Sequence, residues 1–579
     1  MDNFAPIPCP IPFYGKFDLN TYLPGLSDYE IMCYLVQKYN ELAKYVVGLP
    51  ISAIKIGTPE MYGAKGDGLT DDSEAILKCI TENDISFFKP TSYNLKKNIE
   101  INNASNKIII GNYCTFTSTL IPDTTTNTNL IYAFIFNNCT NIHFAFANFT
   151  KVFTSVRFNN CTNISFVYIN LNTYRFGCEF FKCRNFVIEN IYIENQQKLT
   201  NAEGDFIYTD GVHIGGNSHY GKINNIRGTS GDDLISLVCG ELADYGSSGD
   251  ITNITISNVH SETSNILTSN TIYYQDSAFR LVDITDPTRK YKVSNILISN
   301  VNGSSYYAGA LTIDADGDNI TISDCNLSKT PSGYSDRPTL EIRGTIDNLT
   351  VNNCKITSKV ASVFRLVSLN YVTAKDIVFT NCIFGDGTGT QFAFIMRNDI
   401  SIGALKIDNC DFNVTNFCNA LNATLQINTY QLTNSHINLN SKDYNLTDFT
   451  IGVYGDTSLH GDVTIISNIT ANCEPPLIYI GNKAKTLIIS NIINNNSHLY
   501  SVFINNNNAT NCDINISNYI CNKTPVTIST SSNTRLVTHG APLNTSPAAF
   551  TSSAKKGDIV ESVNGVYYFN GTEFILLKS

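Results

Sequence analysis

Apolar and polar residues alternate along short segments that recur through most of the chain. Residues 136–144 read FNNCTNIHF, and residues 158–166 repeat this segment almost unchanged as FNNCTNISF. Related segments follow further on, such as NITISNV at 253–259, NLTVNNC at 348–354 and ALKIDNC at 404–410. Alternation over about six positions has the period of a β-strand. Each copy ends in Asn, Asp or Cys, so the pattern predicts a strand followed by a turn.

The spacing of these copies predicts a solenoid. Units of this length that contain strands stack as rungs about 4.8 Å apart, so similar side chains lie above one another. Phe, Cys and aliphatic residues would fill the interior, and Asn would occupy turns because it tolerates the left-handed conformation. Leucine-rich repeats are the main alternative, but their LxxLxLxxN spacing is absent. We therefore predict an all-β, right-handed parallel β-helix from about residue 59 to about residue 525.

The N-terminal part, residues 1–58, has a different pattern. Residues 27–47 predict an α-helix, because Ser27 and Glu30 form a capping box and apolar residues from Met32 onward recur every three or four positions. This helix either packs on its own domain or forms a short trimeric bundle around an axis. Both interpretations remain open from the sequence.

The C-terminal part, residues 526–579, also departs from the repeat. Its last segment, VESVNGVYYFNGTEFILL, predicts a small antiparallel β domain with Asn564-Gly565 and Asn570-Gly571 as hairpin turns.

The composition and charge exclude some classes of function. The chain has 579 residues, 15% of them charged, and a net charge of −11, which argues against a sequence-blind nucleic-acid binder because such proteins need a basic surface. The N-terminus shows no signal-peptide pattern, and no apolar window is long enough to span a membrane. We expect synthesis in a cytoplasm without secretion.

The 17 cysteines follow the repeat rather than a pairing scheme. Cys139, Cys161 and Cys183 are equally spaced, and a second series that includes Cys354 and Cys382 has a longer spacing that is just as regular. The sequence has no CxxC pair of the kind that zinc or redox sites use. We expect reduced, buried thiols, with no metal and no cofactor.

Residues 62–77, YGAKGDGLTDDSEAIL, resemble the opening signature of pectate-lyase-like β-helix proteins. The resemblance implies a strand, a Gly/Asp turn and a helix that caps the open end of the solenoid. Asp67, Asp71 and Asp72 are not followed by the glutamate that a calcium loop requires, so turn and helix-cap roles are favoured.

The N-terminal helix followed by this signature resembles tail spikes and receptor-binding appendages of phages that infect Gram-positive bacteria. That resemblance implies a virion tail location, attachment to tail or collar proteins through the N-terminus, and a homotrimer.

Two acidic segments stand out in the repeat, TDGVHIGG at 209–216 and GDDLISLV at 231–238. The length of one rung separates Asp210 from Asp232 and Asp233, so the three carboxylates should converge. Glycosidic cleavage needs a protonated acid and a carboxylate that activates water, and crowded like charges raise one pKa.

This spacing resembles polygalacturonase-type glycoside hydrolases, which implies that Asp210, Asp232 and Asp233 are catalytic. The match is partial. The family's Asn-Thr-Asp motif reads Tyr208-Thr209-Asp210 here, and its later Gly-His-Gly and Arg-Ile-Lys strings do not occur after Asp233.

Strand alternation also predicts which side chains face outward and bind substrate. Val212 and Ile214 would point inward, which leaves His213 outward. The same rule gives the remaining candidates for substrate binding, Arg280, Asp314, Glu341, Arg343 and Arg365. Tyr273, Tyr274, Tyr306 and Tyr307 are candidates for stacking on sugar rings. The alternative is that the aspartates are turn residues and the charged stripe is a solvated face.

Three functional hypotheses follow. The first is a trimeric phage tail spike that binds and hydrolyses a bacterial surface polysaccharide, either capsule or wall teichoic acid. The second is a receptor-binding tail protein of the same fold that does not cleave its ligand. The third is a secreted pectinase, which the missing signal peptide disfavours. A reducing-sugar assay on host glycan separates the first two.

Overall fold

The fold is described from a computed structural model. The residues that this structure describes are 54–124, 126–195, 210–240, 247–261, 280–305, 309–329, 338–358, 364–386, 391–397, 399–414, 416–421, 425–439, 463–472, 478–480, 485–494, 502–506, 512–521, 526–530, 534–539, 554–562 and 564–578. The predicted helix at 27–47 lies outside them.

A helix caps the N-terminal end of the solenoid, as the opening signature implies. Strand β1 (Ile56–Gly57), a 3₁₀ turn and β2 (Asp67–Asp71) precede helix α1 (Ser73–Glu82). The carboxylate of Asp72 accepts hydrogen bonds from the backbone N–H groups of Lys65 and Gly66, at 2.7 and 3.2 Å. These bonds tie the Gly/Asp turn to the start of the helix.

The strands that follow form the solenoid. The first half comprises β3 (Ile85–Phe87), β4 (Ser92–Asn94), β5 (Ile99–Asn102), β6 (Ser105–Thr117), β7 (Tyr132–Asn137), β8 (Thr140–Thr150), β9 (Thr154–Asn159), β10 (Thr162–Asn172), β11 (Cys178–Phe181), β12 (Arg184–Asn195), β13 (Val212–Gly215), β14 (His219–Ser230), β15 (Asp233–Val238), β16 (Ile251–Ser261), β17 (Arg280–Thr285), β18 (Lys292–Ser305), β19 (Leu311–Asp314) and β20 (Asp316–Ser323). The second half comprises β21 (Asn326–Lys329), β22 (Leu340–Asn352), β23 (Lys355–Ile356), β24 (Phe364–Thr380), β25 (Ile383–Phe384), β26 (Gln391–Arg397), β27 (Ile400–Asp408), β28 (Asp411–Val414), β29 (Asn416–Leu421), β30 (Leu425–Thr433), β31 (His436–Leu439), β32 (Val463–Asn472), β33 (Ile478–Ile480), β34 (Thr486–Asn494), β35 (Val502–Asn506), β36 (Cys512–Cys521), β37 (Val526–Thr530) and β38 (Thr534–His539).

Each strand pairs in parallel with the strand one rung away, so the predicted parallel β-helix is confirmed. Ile142 pairs with Ile164, and Ile164 pairs with Phe186. Parallel pairing begins at β1 and continues to β38. The division into three domains stays a prediction.

Aromatic and cysteine side chains stack along the interior. The rings of Phe136 and Phe158 have centroids 5.0 Å apart, and those of Phe384 and Phe412 are 4.8 Å apart and nearly parallel. The eleven cysteines whose side chains the structure describes are all free and buried, in agreement with the predicted thiols.

Asparagines occupy left-handed turns at equivalent positions of successive rungs. Asn141, Asn163 and Asn185 have φ of 57°, 57° and 55°. Their side-chain amides form a ladder, in which Asn163 donates to Asn141 at 2.8 Å and Asn185 donates to Asn163 at 3.1 Å. The repeat of Asn in the sequence therefore reflects both the backbone angle and the ladder.

The C-terminal end is a small antiparallel sheet, as predicted. It comprises β39 (Ile559–Ser562), β40 (Gly565–Phe569) and β41 (Phe574–Lys578). The first hairpin differs from the predicted Asn564-Gly565 turn, because Gly565 is the first residue of β40 and pairs with Ser562. The second hairpin turn contains Asn570 and Gly571, as predicted. Within the described part of the chain, no helix is long and apolar enough to cross a membrane.

Candidate active site

The three predicted catalytic aspartates lie at the start of two neighbouring rungs. Val212 of β13 pairs with Ile235 of β15, and this register places Asp210 beside Asp233. The N–H of Gly211 donates to the carbonyl of Asp233 at 2.8 Å. A Cβ at Gly211 would lie 2.5 Å from Ile193 and 2.6 Å from the carbonyl of Leu234, so only glycine fits here.

The three side chains converge. One carboxylate oxygen from each of Asp210, Asp232 and Asp233 lies within 4.8 Å of the others. A water between two oxygens at that separation can donate a hydrogen bond of about 2.7 Å to each. One oxygen of Asp232 and one of Asp233 are buried without a hydrogen-bond partner among the described residues.

His213 lies behind this cluster. Its Nδ1 is 2.7 Å from Oδ2 of Asp210, and its ring stacks on Phe176 at a centroid distance of 4.5 Å. The ring edge also contacts Phe181, and the residue is only 6% exposed. The described contacts therefore fit a residue that orients Asp210, and the predicted role of His213 in lining a groove stays untested.

Arg280 connects the cluster to the next rung. It pairs with Asp233 in the parallel register, and its Nη1 lies 2.9 Å from Asp233 and 3.1 Å from Asp283. Burial by itself would lower the pKa of this guanidinium, but the surrounding carboxylates raise it overall. Arg280 thus stays charged and holds two carboxylates in place.

Burial is the main reason why the carboxyl groups of this site have raised pKa values. It raises the pKa of Asp232 well above its ordinary value, and the charge of Asp210 raises it further. Burial also raises the pKa of Asp233, although Arg280 opposes that shift. The pKa of Asp283 rises to about 6, again mainly because of burial. Burial therefore favours the protonated form of these carboxyl groups.

The other predicted binding residues lie further along the same face. The side chain of Arg343 contacts Glu341 at 2.6 Å and Asp314 at 3.7 Å, and Asp314 also pairs with Arg289. The backbone of Arg365 belongs to β24, but its side chain lies outside the described residues, as do the four candidate tyrosines.

One column of residues joins these groups. The parallel register aligns His213, Ser236, Asp283, Thr312 and Glu341 on successive strands. We call the stack of β9, β11, β13, β15, β17, β19 and residues 340–343 of β22 the site sheet. Its rung spacing of about 4.8 Å places Glu341 about 14 Å from Ser236.

Two residues near the cluster escaped the sequence analysis. Asp283 lies between Val282 and Ile284, which are fully buried, so the alternation rule applied to His213 would have found it. Arg289 follows β17 in a turn, where no strand periodicity exists to place it.

The three aspartates also have the oxygen ligands that a hard cation prefers. Arg280 already supplies positive charge to Asp233 at 2.9 Å, which reduces the attraction for a second cation. The predicted absence of a metal stays a prediction.

Comparison with known proteins identifies similar folds only. No model of a protein family matches the chain, and no curated protein matches its sequence. Among solved structures, a tailspike mutant of E. coli bacteriophage HK620 in complex with a pentasaccharide is 8% identical, with a TM-score of 0.42, covering 81% of this chain and 78% of that one. The A-module of the mannuronan C-5 epimerase AlgE4 from Azotobacter vinelandii is 12% identical (TM-score 0.43; 62% and 96% covered).

A third similar structure is PfbA, a surface adhesin of Streptococcus pneumoniae, which is 12% identical, with a TM-score of 0.39 and coverage of 65% of this chain and 92% of that one. The solved structures that resemble this chain thus include a phage tailspike, an epimerase and an adhesin. At these scores the likeness carries no argument about what this chain binds or cleaves.

Proposed function

We propose that this chain binds a bacterial surface polysaccharide and cleaves it hydrolytically as a phage tail spike. The observation that supports hydrolysis is the convergence of Asp210, Asp232 and Asp233, with oxygens within 4.8 Å, on adjacent rungs. Glycosidic cleavage needs a carboxylic acid and a carboxylate beside the same bond. This cluster can supply both, because burial raises the pKa of Asp232 and Asp233, and His213 holds Asp210 through a contact of 2.7 Å.

The contacts assign different roles to the three groups. Asp232 has no ion pair among the described contacts and a strongly raised pKa, so it is the acid that protonates the leaving oxygen. Asp210, oriented by His213, is the carboxylate that deprotonates the attacking water, and Asp233, held by Arg280, helps to position that water. His213 and Arg280 act through these carboxylates and are positioning residues.

The tail-spike assignment includes assembly and location. We propose a homotrimer that attaches to phage tail or collar proteins through residues 1–58 and acts in the virion tail. This part of the proposal rests on the sequence resemblance, since residues 1–53 lie outside the described structure.

A binding protein without hydrolytic activity is the second candidate. The observation that favours it is the low exposure of Asp210 and Asp233, 5% and 3%, which restricts the approach of a sugar ring to their oxygens. In this alternative the aspartates hold the turns together, and the ligand contacts only the more exposed groups of the site sheet.

Release of reducing ends from purified host surface glycan distinguishes the two candidates. We expect the wild-type protein to release them, and Asp232→Asn to lower the rate by about 10²–10⁴, the usual contribution of a positioned acid. Glu74→Gln, at an exposed carboxylate on α1, is the matched control and should cleave at the wild-type rate.

Circular dichroism should show the same fold for both variants. If Asp210→Asn, Asp232→Asn and Asp233→Asn all cleave at the wild-type rate, the proposed site is wrong. If the wild type binds host glycan without releasing ends, the binding protein is the correct assignment.

A further inference from the structure

The arginines of the site sheet are already engaged with carboxylates of the same chain. Arg280 lies between Asp233 and Asp283, at 2.9 and 3.1 Å. At the other end, Nε and Nη2 of Arg157 contact the two oxygens of the fully buried Glu179, at 2.8 and 3.0 Å. A bidentate pair of this kind uses the geometry with which Arg would otherwise hold a ligand carboxylate or phosphate.

The distal part of the sheet has the same arrangement. Arg343 is held by Glu341 and Asp314, and Arg289, in the turn after β17, is held by Asp314. The described strands of the site sheet carry no lysine. Among the described residues of these strands and that turn, the arginines are therefore four, and each already has an acidic partner. The turn also carries Lys290, which is exposed.

Carboxylates outnumber the arginines of this face. A fifth arginine, Arg175 in the turn before β11, lies with its guanidinium 4.7 Å from the ring centroid of Phe176. Eight acidic side chains lie on or beside the described site sheet: Glu179, Asp210, Asp232, Asp233, Asp283, Asp286, Asp314 and Glu341.

This balance of charge works against anionic ligands. Even with protons retained on the buried aspartates, the face presents no large excess of positive charge. At the paired arginines, an anionic sugar would have to displace an internal carboxylate from its guanidinium and would meet repulsion from the remaining ones.

Uncharged and amine-bearing sugars meet neither obstacle. Their hydroxyl, amide and ammonium groups donate hydrogen bonds, and carboxylates accept such bonds strongly. We propose that the site sheet takes a neutral or amino-sugar polysaccharide, whose contacted units carry no carboxylate or phosphate. This inference rests on the proposed glycan binding at this face. It rules out polygalacturonate and polyanionic teichoic acid as ligands of this face.

The test uses hexagalacturonate as an anionic probe. In the double variant Asp314→Asn, Glu341→Gln, Arg343 and Arg289 lose the carboxylates named above and become available to an anion. We expect the double variant to bind the probe at least about tenfold more tightly than the wild type at low salt, the factor that one charge-assisted hydrogen bond supplies. Isothermal titration calorimetry on the full-length chain measures this ratio, and added salt should reduce it.

The matched control changes the net charge equally away from the site sheet. Glu74→Gln, Asp376→Asn releases Lys97 and Lys406 from their partners. We expect this control to bind the probe no better than the wild type. A wild-type affinity equal to that of the site-sheet variant would overturn the inference, because pairing would then not exclude anions.

This measurement does not depend on cleavage. If the reducing-end assay fails while the binding ratio is as expected, the hydrolysis proposal is wrong and the assignment of ligand charge stands. If the double variant binds the probe no more tightly than the wild type while neutral host glycan is cleaved, the assignment of ligand charge is wrong and the hydrolysis proposal stands. Heat denaturation of each variant establishes that the fold is retained.

Discussion

Burial controls the behaviour of the acidic residues at the centre of this molecule. Asp233 is almost fully enclosed, and its pKa is raised by that enclosure even though Arg280 lies 2.9 Å away. The sequence predicted that the three aspartates would converge, because their spacing equals the length of one rung. It did not predict the partners of Arg280. Those depend on a register that joins Asp233 to Arg280, 47 residues later, across a rung much longer than the one that separates Asp210 from Asp233.

The raised pKa of Asp232 predicts a pH-dependent stability. A carboxyl whose pKa is higher in the folded state binds more protons there, so stability falls as the pH rises from the unfolded value, 3.8, through the folded one. Asp232→Asn removes this penalty. We expect the variant to unfold at a higher temperature than the wild type at pH 8, with each unit of raised pKa contributing about 1.4 kcal/mol.

Differential scanning calorimetry at pH 4 and pH 8 tests this expectation. The difference between Asp232→Asn and the wild type should shrink towards pH 4, where the unfolded state of the wild type also begins to bind the proton. Glu74→Gln changes an exposed carboxylate, so its stability relative to the wild type should not increase between pH 4 and pH 8. A variant that is less stable than the wild type at pH 8 would show that the ionised Asp232 stabilises the fold.

At the scale of the strand and its turn, the repeat determines most of the structure. In β8, β10 and β12 the rungs have equal lengths, so identical sequence positions stack directly and the pattern reveals the register. Elsewhere the rungs lengthen, first between β12 and β14 and then further between β16 and β18. Apolar and polar residues still alternate within each strand, but this alternation does not determine how many residues are inserted between strands. The sequence therefore predicted which residues face outward better than it predicted their neighbours.

The asparagine ladder gives a prediction at this scale. Asn163 has a φ of 57° and takes part in two amide hydrogen bonds along the ladder. Asn163→Ala loses both bonds and leaves in the left-handed region a residue without the polar side chain that allows Asn to adopt it, which costs about 1–2 kcal/mol. Asn163→Gly loses the same bonds without the backbone strain. We expect the alanine variant to be less stable than the glycine variant.

Chemical denaturation of both variants measures that order. Equal stability for the two would mean that the ladder contributes through its hydrogen bonds alone. A wild-type stability for Asn163→Ala would contradict the role assigned to the turn.

For the whole molecule, the burial of the cysteines predicts that they are reduced thiols. The eleven cysteines whose side chains are described are buried within the stacked rungs, where burial raises the pKa of thiols such as Cys183 to about 12. Thiols in this state are poor nucleophiles and resist oxidation. We expect nearly all 17 cysteines to react with a thiol reagent after unfolding without reductant. A titre below about ten would indicate disulfides and contradict the prediction.

The association of whole molecules is the last prediction. Strand β41 pairs only with β40 among the described strands, and it exposes three consecutive apolar residues, Ile575, Leu576 and Leu577, to 43%, 47% and 60%. An apolar edge strand of this kind is a site for pairing with another chain. We expect a trimer in which these strands are covered, with a light-scattering mass of three times the 63.9 kDa of one chain.

Leu576→Lys with Leu577→Asp should shift the mass towards that of one chain. Ile121→Asp, at an isolated exposed residue far away in the sequence, should leave the mass unchanged. A wild-type mass near that of a single chain would show that the trimer prediction is wrong.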